Sequence, residues 1–90
     1  MKPYSDDAQS KNEFTRVFDS NVNEEELIWH RDKKDREIVI LEGKDWKLQY
    51  DDKLPIKLEE NKVYKIKAGD YHRILKGNGN LVLKIKETGE

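Results

Sequence analysis

The chain of 90 residues contains no cysteine, which excludes disulfides, thiolate metal ligands and cysteine nucleophiles. No apolar stretch approaches the roughly 20 residues that span a bilayer. The opening Met1-Lys2-Pro3-Tyr4-Ser5-Asp6-Asp7 lacks the apolar run of a signal peptide, so the expected location is cytoplasmic, with no membrane partner. Neither sign of charge dominates: 18 basic and 19 acidic side chains nearly cancel and alternate along the sequence. Without a basic stripe or an acidic tail, nucleic acid is not an expected partner. The five glycines form neither a P-loop nor a dinucleotide fingerprint. Ser5, Ser10 and Ser20 lie in no nucleophile elbow, which argues against a triad hydrolase. Most of the 19 acidic residues sit in turns or at outward positions and read as a solvated surface rather than a glycosidase pair.

Apolar residues make up only 34% of the chain, enough for one small core that association would help to stabilise. Residues 1–12 show no periodic apolar pattern and read as a loose arm, leaving 13–90 as a single domain. Short alternating or apolar runs bounded by Asp, Asn, Gly and Lys predict strands at 14–18, 27–31, 36–42, 46–51, 55–58, 62–67, 71–75 and 81–86. A short helical turn is expected at 23–26. Eight strands at this spacing imply an all-β sandwich or barrel. Ile38-Val39-Ile40-Leu41 is apolar on both faces and reads as a central strand, and Trp46, alternating with Leu48 and Tyr50, reads as core. Gly43 and Gly69 are expected in turns with positive φ, and Gly77-Asn78-Gly79-Asn80 as a hairpin loop.

The two histidines of the chain, His30 and His72, stand in the segments richest in chemistry. His30 and Asp32 are spaced i, i+2, so on a strand they share a face, and His72 falls on a later strand able to meet them. Two imidazoles and a carboxylate suit a divalent metal such as Fe, Ni, Mn or Zn, with positions left open for a substrate. Lysine outnumbers arginine 14 to 4, yet Arg31, Arg36 and Arg73 cluster in these two segments. Arginine's planar fork suits a carboxylate or phosphate.

The spacing resembles the cupin superfamily, whose first motif is His-x-His, three or four residues, Glu, six residues, Gly. Its second is Gly, five residues, Pro-x-Gly-x-x-His. Here the first reads His30-Arg31-Asp32, three residues, Arg36, six residues, Gly43; the second reads Asn61, five residues, Lys67-Ala68-Gly69-Asp70-Tyr71-His72. The resemblance covers residues 26–86 and implies a small jelly-roll-like β-barrel. It implies a family of isomerases, dioxygenases, lyases, sugar-binding proteins and sensors, so fold alone does not select an activity. It carries over two metal ligands, His30 and His72. Asp32 takes the place of the second His, and Arg36 the place of the Glu; guanidinium offers no lone pair to a metal.

Two readings stay open. In one, His30, Asp32 and His72 hold a divalent metal while Arg36 receives the carboxylate of a small ligand, with Gln49 and Tyr50 as further substrate contacts. In the other, Asp32 and Arg36 form a salt bridge in a metal-free pocket that serves ligand binding or assembly. If the two histidines face inward, then Trp29, Arg31, Tyr71 and Arg73 face outward with Val39 and Leu41, and this apolar outer face is expected to form a homodimer unless segment 14–18 folds over it.

Overall fold

Period-two alternation becomes two antiparallel sheets in the computed structural model, which describes residues 2–88. The strands are β1 (Ser5–Ala8), β2 (Glu13–Phe18), β3 (Asp35–Lys44), β4 (Lys47–Tyr50), β5 (Ile56–Lys57), β6 (Val63–Ile66), β7 (His72–Leu75) and β8 (Asn78–Thr88), with a 3-10 turn at Glu24–Glu26. One sheet has the order β1-β2-β8-β3-β6, the other β5-β4-β7. The run of apolar residues at 38–41 is accordingly interior, with β3 between β8 and β6. The sheets enclose one core: Ile38, Ile40, Leu81, Leu83 and Ile85 from the larger, Leu48 from the smaller, and Trp46 from the turn just before β4. Ile40, Trp46, Leu48 and Leu81 are completely buried.

Several elements differ from expectation for definite reasons. The segment expected as a loose arm carries β1, which extends the larger sheet by pairing Ser5 with Val17 and Ala8 with Phe14. All four β1 residues are exposed, which is why no apolar period announced it. Residues 27–31 form no full strand; only His30 pairs, in an isolated bridge to His72. Residues 77–80 are not a hairpin loop. The chain crosses there from the smaller sheet to the larger, and Asn78 already pairs with Lys44 in β8. Trp46 Nε1 donates to the Asn78 carbonyl at 3.3 Å, and Asn78 Nδ2 donates to Asp45 at 2.8 Å, which docks this crossing on the turn between β3 and β4.

The expected positive φ is found at Gly69, at 85°, but not at Gly43. Gly43 packs closely instead: a Cβ there would stand 2.7 Å from Leu81 Cδ1, and that buried side chain would have to shift. The left-handed residue of that turn is Asp45, φ 63°. Asn61, which replaces a motif glycine, has φ 65°, a conformation that Asn tolerates better than most residues.

Gly77 packs directly on the backbone of Lys44, Asp45 and Trp46, so an added Cβ there meets atoms that cannot turn aside. Gly77→Ala is expected to cost roughly 3 kcal/mol or more in urea unfolding. Gly79, with open space around it and φ 68°, should lose only about 1–2 kcal/mol on the same change. Equal effects would contradict this packing account.

Candidate metal centre

Three pieces of backbone assemble the site. His30 and His72 exchange backbone hydrogen bonds, N–H to carbonyl, at 3.0 and 2.9 Å. Residues directly opposed on paired backbones send their side chains to the same face, and the two imidazole centroids lie 4.3 Å apart at 60°. Asp32 then leaves this alignment. Its carbonyl accepts from the Gly69 N–H at 2.9 Å, and its side chain turns inward to 9% exposure. Ligand atoms of His30, Asp32 and His72 all lie within 4.8 Å of one another.

Both imidazoles are held by the same local device. His30 Nδ1 contacts the carbonyl of Ile28 at 3.1 Å, and His72 Nδ1 that of Asp70 at 2.9 Å, each two residues back. A carbonyl only accepts, so Nδ1 carries the proton in each ring, and a neutral imidazole then presents a bare Nε2 lone pair. For His72, that Nε2 stands 3.3 Å from Asp32 Oδ2. This oxygen is buried, and among the described residues it makes no hydrogen bond of good geometry, the contact with Nε2 included. Two electron-rich atoms thus face each other out of water, an arrangement that requires a cation between them, either a proton on Nε2 or a metal ion. Backbone carbonyls that fix the tautomer of a histidine are also the usual outer support of a metal-binding imidazole. The three residues therefore fit a divalent metal.

Arg36 occupies the next inward position before Ile38. Its Nη1 lies 3.3 Å from Asp32 Oδ1, while Nε and Nη2 donate to Glu87 Oε2 at 3.1 and 3.0 Å. Burial by itself would raise the Asp32 carboxyl; His72 approaching as a donor, the Arg36 guanidinium and the charges that His72 and His30 carry when protonated outweigh it and hold the group below its usual 3.8. Beyond these polar groups lies a cavity of about 550 Å³, walled by Ile38, Ile66, Ile74, Leu83 and Ile85 and reaching Phe18 and Tyr4.

The structure thus gathers His30, Asp32, His72 and Arg36 at one cavity. It does not bring Gln49 or Tyr50 into that lining. Gln49 faces the opposite side of β4 from Leu48, accepting from Arg73 Nε at 2.9 Å and donating to the Lys53 carbonyl at 3.0 Å. Tyr50 donates to the Lys65 carbonyl at 2.7 Å; burial, then Asp70 and Tyr64, push its hydroxyl above the usual 10.0. Arg73 is turned outward over the Trp29 ring, 4.6 Å from its centroid.

Glu87 and Arg16 escaped the sequence reading, although parity contained them both. Continuing the inward set Leu81, Leu83, Ile85 by one step reaches Glu87, which pairs with Arg36 across β8 and β3. Phe14 and Phe18 bracket Arg16, whose fork is held by Asp6 at 2.8 and 3.0 Å.

No protein-family model matches the sequence, and no curated protein matches it. Solved structures do. A cupin-2 domain protein from Shewanella frigidimarina superposes with a TM-score of 0.68 at 19% identity, covering 94% of this chain and 79% of the other. An RmlC-like cupin from Methanocaldococcus jannaschii, described as a double-stranded β-helix, gives 0.68 at 14%, covering 97% and 82%. This is the cupin fold. HppE, crystallised with cobalt(II) and Tris, gives 0.74 at 15% identity; the match covers 98% of this chain but only 55% of that protein. His30 and Asp32 precede β3 and His72 opens β7, so the bridge between the two histidines brings these separate segments together.

Arg36 neutralises two carboxylates, so removing it leaves Asp32 and Glu87 together without a cation. In chelator-treated protein, Arg36→Ala is expected to lose roughly 3–5 kcal/mol of unfolding free energy. Arg36→Lys should recover only part of it, because an ammonium lacks the fork. A loss below about 1 kcal/mol for Arg36→Ala would show that the three-charge cluster does not form.

Proposed function

We propose that this cupin binds one divalent metal ion through His30, Asp32 and His72 and takes a small carboxylate-bearing molecule beside it. The single observation that carries this reading is the buried Asp32 Oδ2 that faces His72 Nε2 at 3.3 Å without a well-formed hydrogen bond among the described residues. The shared tautomer of both imidazoles supports it, as does the cobalt(II) in HppE, a protein of the same fold. A bound divalent metal would supply Lewis acidity toward a carbonyl or carboxylate. The chain's own groups do the rest: Glu87 holds Arg36 in place, Arg36 orients the acid, and the aliphatic wall receives the apolar part of the ligand. The competing reading rests on the Arg36–Asp32 contact. There a protonated His72 and Arg36 together neutralise Asp32, and the pocket is a metal-free binding module.

Elemental analysis of untagged protein, purified without chelators or immobilised metal, distinguishes the two. About one Fe, Ni, Mn or Zn per chain is expected, abolished in His30→Ala and His72→Ala with the fold retained. Metal at a hundred times its dissociation constant should add about 2.7 kcal/mol of stability. Metal-free protein that shows no thermal shift with any of these ions would establish the salt-bridged alternative.

The outer face of the larger sheet is proposed as a homodimer surface. Val17 pairs with Val82 and Val39 with Val63 on that face, and Leu41 and Val63 are about half exposed. Segment 14–18 does not cover it, because β2 pairs edge to edge with β8. Trp29 and Tyr71 are not part of it; they flank the histidine bridge beside the smaller sheet and lie under Arg73 and Arg31. Sedimentation velocity should show a dimer that Leu41→Glu and Val63→Glu dissociate. A monomer at all concentrations would refute this.

A further inference from the structure

The proposed metal pocket also carries information about the body of its ligand, an inference that rests on that reading. Two guanidiniums reach the cavity, those of Arg16 and Arg36, but they are not equivalent. Arg16 is buried, its Nε and Nη2 are both taken by Asp6, and the Tyr4 ring covers its face at 3.5 Å. Its charge is already balanced by that one carboxylate, so although Nη1 makes no hydrogen bond among the described residues, the pair carries no net attraction for a second anion. Arg36 gives Nε and Nη2 to Glu87 and keeps Nη1 in a loose 3.3 Å contact with Asp32. A metal that takes over the neutralisation of Asp32 leaves this Nη1 as a donor for one acid group.

The rest of the wall has a different character. Ile38, Ile66, Ile74, Leu83, Ile85 and Phe18 offer no hydrogen bond. The remaining charged lining residues, Lys2 and Glu26, are exposed and of opposite sign. A hydroxyl or second carboxylate placed against the aliphatic wall would lose its water without gaining a partner. Hydrocarbon placed there would leave water at no such cost.

We infer that the ligand is an aliphatic monocarboxylate: one acid group held by Arg36 beside the metal, and a hydrocarbon body lying along the isoleucine and leucine wall. Sugars, sugar acids and dicarboxylates are thereby disfavoured.

The test is calorimetric titration of Zn2+-loaded protein with acetate, butyrate, hexanoate, hexanol, adipate and gluconate, with zinc content measured on every sample. Each buried methylene should tighten binding by roughly fourfold, so that hexanoate exceeds acetate by at least about thirtyfold. Adipate, gluconate and hexanol should each bind at least about tenfold more weakly than hexanoate. Ile74→Thr, at a half-buried wall position, should weaken hexanoate and leave acetate unchanged, while Arg36→Gln should abolish the advantage of hexanoate over hexanol. Equal binding of acetate and hexanoate, or binding of adipate or gluconate as tight as that of hexanoate, with zinc still stoichiometric, would overturn the ligand class and leave the metal reading standing. Failure to take up zinc, and likewise Fe, Ni and Mn, would overturn both.

Discussion

The backbone bridge between His30 and His72 is the constraint on which the site depends. Two hydrogen bonds of 3.0 and 2.9 Å align residues that lie on separate passes of the chain, and that alignment alone sets two imidazoles on one face. The carbonyls two residues earlier, at Ile28 and Asp70, then fix both rings in the same tautomer. Asp32 completes the group because Gly69, in its left-handed conformation, donates to the Asp32 carbonyl and so turns its carboxylate inward. None of these steps needs a long strand, which explains how 27–31 serves the site without belonging to a sheet.

Charge placed inside so small a core must be balanced locally, since each unpaired ion would cost several kcal/mol. The charges fall into two separate sets. Asp6 and Arg16 cancel one another beneath Tyr4. Arg36 lies between Asp32 and Glu87, one cation for two carboxylates, so the second set has an excess of negative charge unless another cation joins it. The ligand atoms of the two histidines lie where that cation is required. Coulombic need and donor chemistry thus point to the same place.

Much of this was legible in the sequence, and the reasons differ from residue to residue. Alternation exposed the strands of the core, and the spacing of His30, Gly43, Gly69 and His72 disclosed the barrel and which side chains meet at its end. The inward turn of Arg36 and its proximity to Asp32 followed from parity. Gln49 and Tyr50 lie outside the cavity lining, Gln49 because it alternates with the buried Leu48 and Tyr50 because its hydroxyl is given to the Lys65 carbonyl, a tertiary contact with no local signal. Strand β1 was hidden because an edge strand with four exposed residues carries no apolar period. Gly43 was assigned to a turn when its role is contact with Leu81, a tertiary requirement with no local signal. Glu87 lies beyond the expected strand end at 86, two residues short of the end of β8, although the pattern of inward residues continues through it.

Imidazole nitrogen NMR on 15N-labelled protein tests the central claim most directly, because it reads the tautomer and the ligand atom in one experiment. Both histidines should show the proton on Nδ1 in chelator-treated protein at neutral or mildly alkaline pH, and one equivalent of Zn2+ should shift both Nε2 resonances while Nδ1–H persists. Histidines protonated on Nε2, or Nε2 resonances that do not respond to Zn2+, would contradict a metal centre built from His30, Asp32 and His72.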